Sequence, residues 1–271
     1  MWTDRWTGTT IGMALGAAAS RYGDRDAFIF GERHLGFREL EQVATAVARG
    51  FLGLGIGHGD RVAIWMASHA EWAYLYYGLA KIGAVMVPLN TRYKPAELEY
   101  VLRKSEARVL VFLDETVGGK DYAALLLELC PELRRDPPGD LAAGRLPDLR
   151  WVIGVSGRRL PGVLSFDDLL GAGAGVSAAQ LAAAEQRVGP DDTALIQFTS
   201  GTTAFPKGAQ LFQVGMLRGA DYCAEPIALS EADRLFSPQP FYHCGGSILV
   251  LLAPLVSSWR RLTPISAATK L

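Results

Sequence analysis

The stretch RVAIWMASHAEWAYLYYGLAKIGAVMVPLNTRYKPAELEYVLRKSEARVLVFL, from Arg61 to Leu113, decides the fold. Arg61–Met66, Ala84–Leu89 and Arg108–Leu113 are short apolar runs, rich in Val, Ile and Leu, and read as buried strands. Between them His69–Ile82 and Pro95–Ser105 read as helices. Pro95 falls where a first-turn proline is tolerated, because the N–H it lacks would have no helical partner. The His69–Ile82 helix is unusually aromatic, with Trp72, Tyr74, Tyr76 and Tyr77, and aromatics at helical spacing read first as core packing. Strands joined through single helices need crossover connections, and crossovers imply a parallel sheet covered on both faces. The expected fold class is therefore α/β.

The pattern extends upstream. Ile11, Leu15, Ala18 and Tyr22 share one helical face, so the apolar Ile11–Ala19 segment reads as an amphipathic helix and not as a signal peptide, whose charged leader Asp4 would spoil. Ala27–Phe30 and Leu35–Phe37 flank a turn at Gly31 and read as a hairpin. Arg38–Leu54 is a helix with Leu40, Val43, Ala44, Val47, Phe51 and Leu54 on its apolar face, ended by Gly53, Gly55 and Gly57. Downstream, Arg134–Pro147 and Gly171–Gly175 read as surface loops inside one domain. Leu181–Arg187 reads as helical, Thr193–Phe198 as a buried strand and Ile248–Val256 as a core helix. No internal repeat is visible.

The 271 residues carry 27 Lys+Arg against 28 Asp+Glu, which excludes a general nucleic-acid role because that needs a basic excess. Hydrophobic residues make up 49% of the chain, and at a net charge of −1 that excludes disorder as the main state. Cys130, Cys223 and Cys244 are widely spaced, as expected of reduced thiols in a cytoplasmic protein. Ile248–Val256 is too short for a transmembrane span, which takes about 20 residues. Peripheral membrane contact stays open, although no amphipathic basic helix supports it, and oligomeric state is not legible. One imbalance stands out: six lysines against 21 arginines, with Lys207 the only lysine between Lys120 and Lys270.

Lys207 lies in Thr199-Ser200-Gly201-Thr202-Thr203-Ala204-Phe205-Pro206-Lys207-Gly208, which packs four hydroxyls, two glycines and one lysine into ten residues after the Thr193–Phe198 strand. A polyphosphate needs such a surround: small residues that let backbone N–H groups approach, hydroxyl donors for its oxygens, and a cation against its charge. The loop is not a Walker A motif. Gly201 and Lys207 have that spacing, but Pro206 stands in place of the second glycine and Gly208 in place of the Mg²⁺-binding hydroxyl. The plain alternative is a polar turn between two strands.

Thr199–Gly208 resembles the phosphate-binding signature of the adenylate-forming superfamily of acyl-CoA synthetases, luciferases and adenylation domains. Pro190–Ile196 resembles the approach to that signature, and Pro240-Phe241-Tyr242-His243-Cys244-Gly245-Gly246 resembles the family's aromatic/His motif. Phe37–Leu40, Gly59–Ile64 and Gly83–Asn90 look like landmarks of fatty-acyl-CoA ligases. The resemblance runs in order from about residue 10 to residue 256. It implies that residues 1–271 are a partial AMP-binding domain of the layered α/β acyl-CoA synthetase type, without the mobile C-terminal domain.

By the same resemblance, a carboxylic acid, expected to be a fatty acid, would be activated by ATP with Mg²⁺ to an acyl-adenylate and passed to CoA. Thr199, Ser200, Gly201, Thr202, Thr203, Lys207 and Gly208 would hold the phosphates. His243 would be the catalytic residue, with Phe241, Tyr242, Gly245 and Gly246 at the acid. No metal ligand is expected in this chain. Cys244 is not expected to be a nucleophile, since the implied chemistry needs no enzyme thiol and no positioned base is evident. Ala204 stands where the loop normally has glycine, and Phe212-Gln213 where a Thr-His pair is common, so loop support is in question. The family's later Thr-Glu, ribose-binding and hinge motifs are not found in Ser247–Leu271. The expectation is an N-terminal fragment, weak or inactive alone. The alternatives are a catalytically dead, nucleotide-binding remnant, or an enzyme that takes an aryl acid or loads a carrier protein.

Overall fold

The computed structural model describes residues 5–117, 119–199, 206–230 and 232–259. Its centre is a seven-stranded sheet. In chain order the elements are α1 (Ile11–Tyr22), β1 (Asp26–Phe30), β2 (Arg33–Gly36), α2 (Phe37–Gly53), β3 (Arg61–Trp65), α3 (Ala70–Lys81), β4 (Val85–Pro88), α4 (Pro95–Lys104) and β5 (Val109–Phe112). There follow β6 (Thr116–Val117), β7 (Lys120–Asp121), α5 (Tyr122–Leu129), β8 (Trp151–Gly154), β9 (Leu164–Ser165), α6 (Phe166–Ala172) and α7 (Ala178–Gln186). The chain continues through β10 (Thr193–Phe198), β11 (Gly208–Phe212) and α8 (Gln213–Ala224), then a π-helical turn, Gly245–Val250, that leads into α9 (Leu251–Trp259).

The sheet runs β11-β10-β4-β3-β5-β8-β9, parallel throughout except that β11 folds back antiparallel on β10. Residue alternation sends β3 to both faces. Val62 and Ile64 enter one core with α1, α2 and α3, while Ala63 and Trp65 enter a second with α4 and α5. This is the parallel, doubly covered sheet expected from Arg61–Leu113. Trp72 and Tyr77 are completely buried, so the aromatic helix is core, as read.

The two expected surface loops are only partly so. Residues 134–147 form no long element, yet Leu141, Ala143 and Leu146 are buried in the second core. Gly171–Gly175 is the end of α6 and a 3₁₀ turn, and its Gly173 is buried against α2. The approach is close enough that a Cβ on Gly53 would come within 2.0 Å of the Ala172 carbonyl. Gly173 and the Ala172 carbonyl therefore pack against α2, while Gly171, Ala174 and Gly175 are exposed as a surface reading expects.

Gln213, one of the two departures from the family pattern, is buried under α1. Its Oε1 accepts from the Ile11 N–H at 3.0 Å, and its Nε2 donates to the Ala80 carbonyl at 3.1 Å. It ties the start of α1 to the end of α3, which accounts for an amide at this position without reference to the loop.

Candidate functional site

β10 pairs with β4, and β4 with β3, so the carboxyl ends of these three strands lie side by side. The chain leaves β3 for α3 in the first core and leaves β4 for α4 in the second. In open α/β sheets, successive crossovers to opposite faces mark the strand ends where ligands usually bind. Into this edge come the end of β10 and the Pro240–Gly246 turn.

β10 carries both motifs. Phe198 enters the second core, and its partner across the hairpin is Gly208. Immediately beyond, the Thr199 N–H donates to the Lys207 carbonyl at 2.9 Å, which closes the base of the loop. Lys207 is exposed, as a cation meant for a ligand must be. The expected site residues Ser200, Gly201, Thr202 and Thr203, and Ala204 with them, lie outside the described residues. Gly208 has a packing reason to be glycine, since a Cβ there would come within 2.9 Å of Ile196 Cγ2.

One residue before Phe198, Gln197 points the other way. Its Nε2 donates to the Tyr242 carbonyl at 3.1 Å, and its Oε1 is buried without a partner among the described residues. Neighbouring residues of one strand thus anchor the phosphate-loop candidate and the aromatic/His turn. The turn is also held from the loop between β3 and α3, where Ser68 Oγ accepts from the Phe241 N–H at 3.1 Å. The Phe241 ring packs edge-on against Trp72 at 5.8 Å and Phe30 at 6.1 Å. A cavity of about 620 Å³ opens beside it, lined by Phe28, Phe30, Ser68, Phe241, Val250 and Pro254 among others.

His243 stands two residues before the π-helical turn. Its carbonyl accepts from the Gly246 and Ser247 N–H groups, and its exposed ring uses Nδ1 to accept from the Gly245 N–H at 3.3 Å. That contact leaves Nε2 as the nitrogen without a partner among the described residues. Cys244 Sγ is 3.6 Å from the same Nδ1, so a base does stand beside this thiol, contrary to expectation, although the Gly245 N–H shares it. Gly246 has a packing role: a Cβ would lie 2.2 Å from the Pro240 carbonyl, and backbone cannot move aside. Turns of the π type are rare and recur at functional sites. Nothing local marks Ser68 or Gln197 as anchors, because each is a lone polar residue whose use depends on a residue far along the chain.

No cluster of three His, Cys, Asp or Glu side chains able to hold a metal occurs among the described residues. No helix among them is long and apolar enough to cross a membrane.

With this geometry in place, the chain can be compared with known proteins. The model of the AMP-binding enzyme family matches residues 15–263. YngI of Bacillus subtilis (strain 168), named as an acyl-CoA synthetase, is 37% identical over 247 residues, covering 90% of this chain and 45% of YngI. The mitochondrial medium-chain acyl-CoA ligase ACSF2 of Mus musculus is 36% identical over 247 residues, covering 89% of this chain and 40% of that protein. The anthranilate CoA ligase AuaEII, solved in complex with anthranoyl-AMP, superposes with a TM-score of 0.75 at 25% identity, over 93% of this chain and 44% of that one. The long-chain-fatty-acid-CoA ligase FadD1 of Archaeoglobus fulgidus gives 0.68 at 25% identity, over 91% and 45%. The chain spans less than half the length of each of these proteins.

Proposed function

Because this chain belongs to the AMP-binding enzyme family, we propose that it carries the phosphate-binding part of an ATP-dependent acid–thiol ligase. In the reaction, a carboxylate oxygen attacks the α-phosphorus of ATP. The bond to the bridging oxygen breaks, pyrophosphate leaves, and an acyl-adenylate remains. The CoA thiol then attacks the acyl carbon, AMP departs with the electron pair of the C–O bond, and a thioester forms. A carboxylate resists direct attack because oxide is a poor leaving group, and adenylation supplies a good one.

The observation that carries this reading is the β10–β11 hairpin. It brings Thr199, Lys207 and Gly208 together at the carboxyl end of β10, with the isolated lysine exposed. Thr199 and Lys207, with the hydroxyls of Ser200, Thr202 and Thr203 and the small Gly201, would hold the β- and γ-phosphates. Their work is positioning and electrostatic, not covalent. His243, through the nitrogen left over from its backbone contact, with Phe241 and Tyr242, would meet the carboxylic acid. Gly245 and Gly246 would shape that turn. Magnesium would travel with the nucleotide.

A fatty acid is the favoured substrate class. Its curated relatives include medium-chain acyl-CoA ligases, and the cavity beside Phe241 has an aromatic and aliphatic side, with Phe28, Phe30, Val250 and Pro254, besides a polar one with Arg25, Asp26, Asp233 and Arg234. An aryl acid is the second reading, favoured by the superposition on the anthranilate CoA ligase. Cytoplasmic placement rests on three free cysteines.

Calorimetric titration with Mg·ATP tests the site. Binding is expected, and Lys207→Ala is expected to weaken it by roughly tenfold or more, the loss of one charge-assisted contact. Absence of binding, or binding indifferent to Lys207, would overturn the assignment. ATP–pyrophosphate exchange across a panel of fatty and aryl acids distinguishes the two substrate readings. The 271-residue chain alone is expected to exchange weakly, since it spans under half of its relatives.

A further inference from the structure

Beyond the β10–β11 ladder, two hydrogen bonds among the described residues hold the ends of the loop, and only one of them lies within the hairpin. Thr199 N–H to Lys207 carbonyl, 2.9 Å, closes the base. The other comes from α4, on the far side of β4 in the chain: the Tyr100 hydroxyl donates to the Pro206 carbonyl at 3.2 Å. Pro206 has no N–H of its own to pair, and its carbonyl is the last backbone group before Lys207. Tyr100 is half-buried against the second core, with Leu98, Val101 and Leu102 of the same helix anchored in it. Its hydroxyl is therefore presented from a rigid element to the one part of the hairpin that carries the cation.

We propose that Tyr100 is a positioning residue for Lys207, fixing the Pro206–Lys207 peptide so that the ammonium is presented to the nucleotide phosphates. The inference rests on the phosphate-binding reading of the loop. The physical need is plain. Lysine is a flexible four-carbon stem carrying a point charge, so its placement is only as good as that of the backbone it leaves. β11 is an edge strand with a single neighbour, β10, and cannot supply that rigidity from its open side. A hydrogen bond from a core-anchored helix at the position before the lysine supplies it.

The test is a double-mutant cycle on Mg·ATP affinity, with Tyr100→Phe, Lys207→Ala and the pair, read alongside amide hydrogen exchange at Thr199. Phenylalanine keeps the ring packing and removes only the hydroxyl. Tyr100→Phe is expected to weaken ATP binding by roughly 3- to 10-fold, the range of one net hydrogen bond. The paired variant is expected to bind no worse than Lys207→Ala, because the effect of the Tyr100 hydroxyl on ATP is proposed to pass through the lysine. Exchange at Thr199 is expected to quicken in Tyr100→Phe, since that N–H pairs with the lysine carbonyl. Additive losses would make Tyr100 a general support of the fold and overturn the inference, as would unchanged ATP affinity in Tyr100→Phe. If the unsubstituted chain binds no ATP, the phosphate-loop reading fails, and with it the role assigned to Tyr100. Thr199 exchange then still reports whether Tyr100 holds the hairpin.

Discussion

At the scale of single residues, the cysteines divide by environment. Cys130 is fully buried behind α5, and burial together with the neighbouring Glu132 pushes its thiol up to about 12. Cys223 and Cys244 are exposed. Since the thiolate is the reactive form, iodoacetamide at about pH 8 is expected to label Cys223 and Cys244 and to spare Cys130 until the protein is unfolded. Mass spectrometry of the labelled peptides checks this, and early labelling of Cys130 would contradict the packing described. Gln213 makes a related point. Against the family pattern it looks like a lost loop support, whereas in the fold it serves two buried backbone groups of α1 and α3. Its presence therefore does not argue for a dead remnant. A sequence shows that a residue differs, but not which groups it has come to serve.

At the scale of elements, the Pro240–Gly246 turn depends on one missing methyl group. Gly246→Ala would force a Cβ onto the Pro240 carbonyl, 2.2 Å away. The expected cost is about 1–3 kcal/mol, as for other overpacking substitutions, read as a lower urea midpoint. Gly245→Ala, whose nearest neighbour is the flexible Gln239 side chain at 3.3 Å, is expected to be much milder. Equal effects would mean that the close approach at Gly246 is not what fixes the turn. The strands from Arg61 to Phe112 and the long helices α2 and α3 were legible because each repeats its apolar period over several turns or sits between clear breakers. β8, β9, α5 and α6 were not anticipated. β8 and β9 are too short for a period to establish itself, and they form because the growing sheet edge offers partners.

At the scale of the whole molecule, an ion triad centred on the buried Lys81 joins three helices. Lys81 of α3, with its side chain only 8% exposed, pairs with Glu41 of α2 at 2.8 Å and Glu185 of α7 at 3.0 Å. Burial raises the Glu41 carboxyl, but the Lys81 hydrogen bond and charge, with Thr45, more than offset this and hold it below its ordinary value of 4.5. A carboxyl depressed in the folded state contributes stability that is fully present above its unfolded pKa and is lost as pH falls through the folded value. Glu41→Gln is therefore expected to cost about 1 kcal/mol near neutrality. The gap to the unsubstituted chain should narrow once the pH drops below about 4. Denaturation curves across that window test it, and a gap independent of pH would remove the ionic explanation.

The sequence by itself determined the α/β class, the parallel central strands, the buried aromatic helix and the two motifs that look like nucleotide and acid sites. Each of these is written in local periodicity or in a short run of unusual residues such as Thr199–Gly208. Only the tertiary structure decided that Gln197 and Phe198, consecutive in β10, anchor the two motifs on opposite faces of one strand. It also decided that Ser68 and Tyr100 hold the neighbouring backbone, and that Gly173 packs against α2. The physical reason is the same in each case. Alternation along a strand and hydrogen bonding between distant segments depend on which strands become neighbours, and the order β10-β4-β3 is set by crossover connections and burial, which no local stretch encodes.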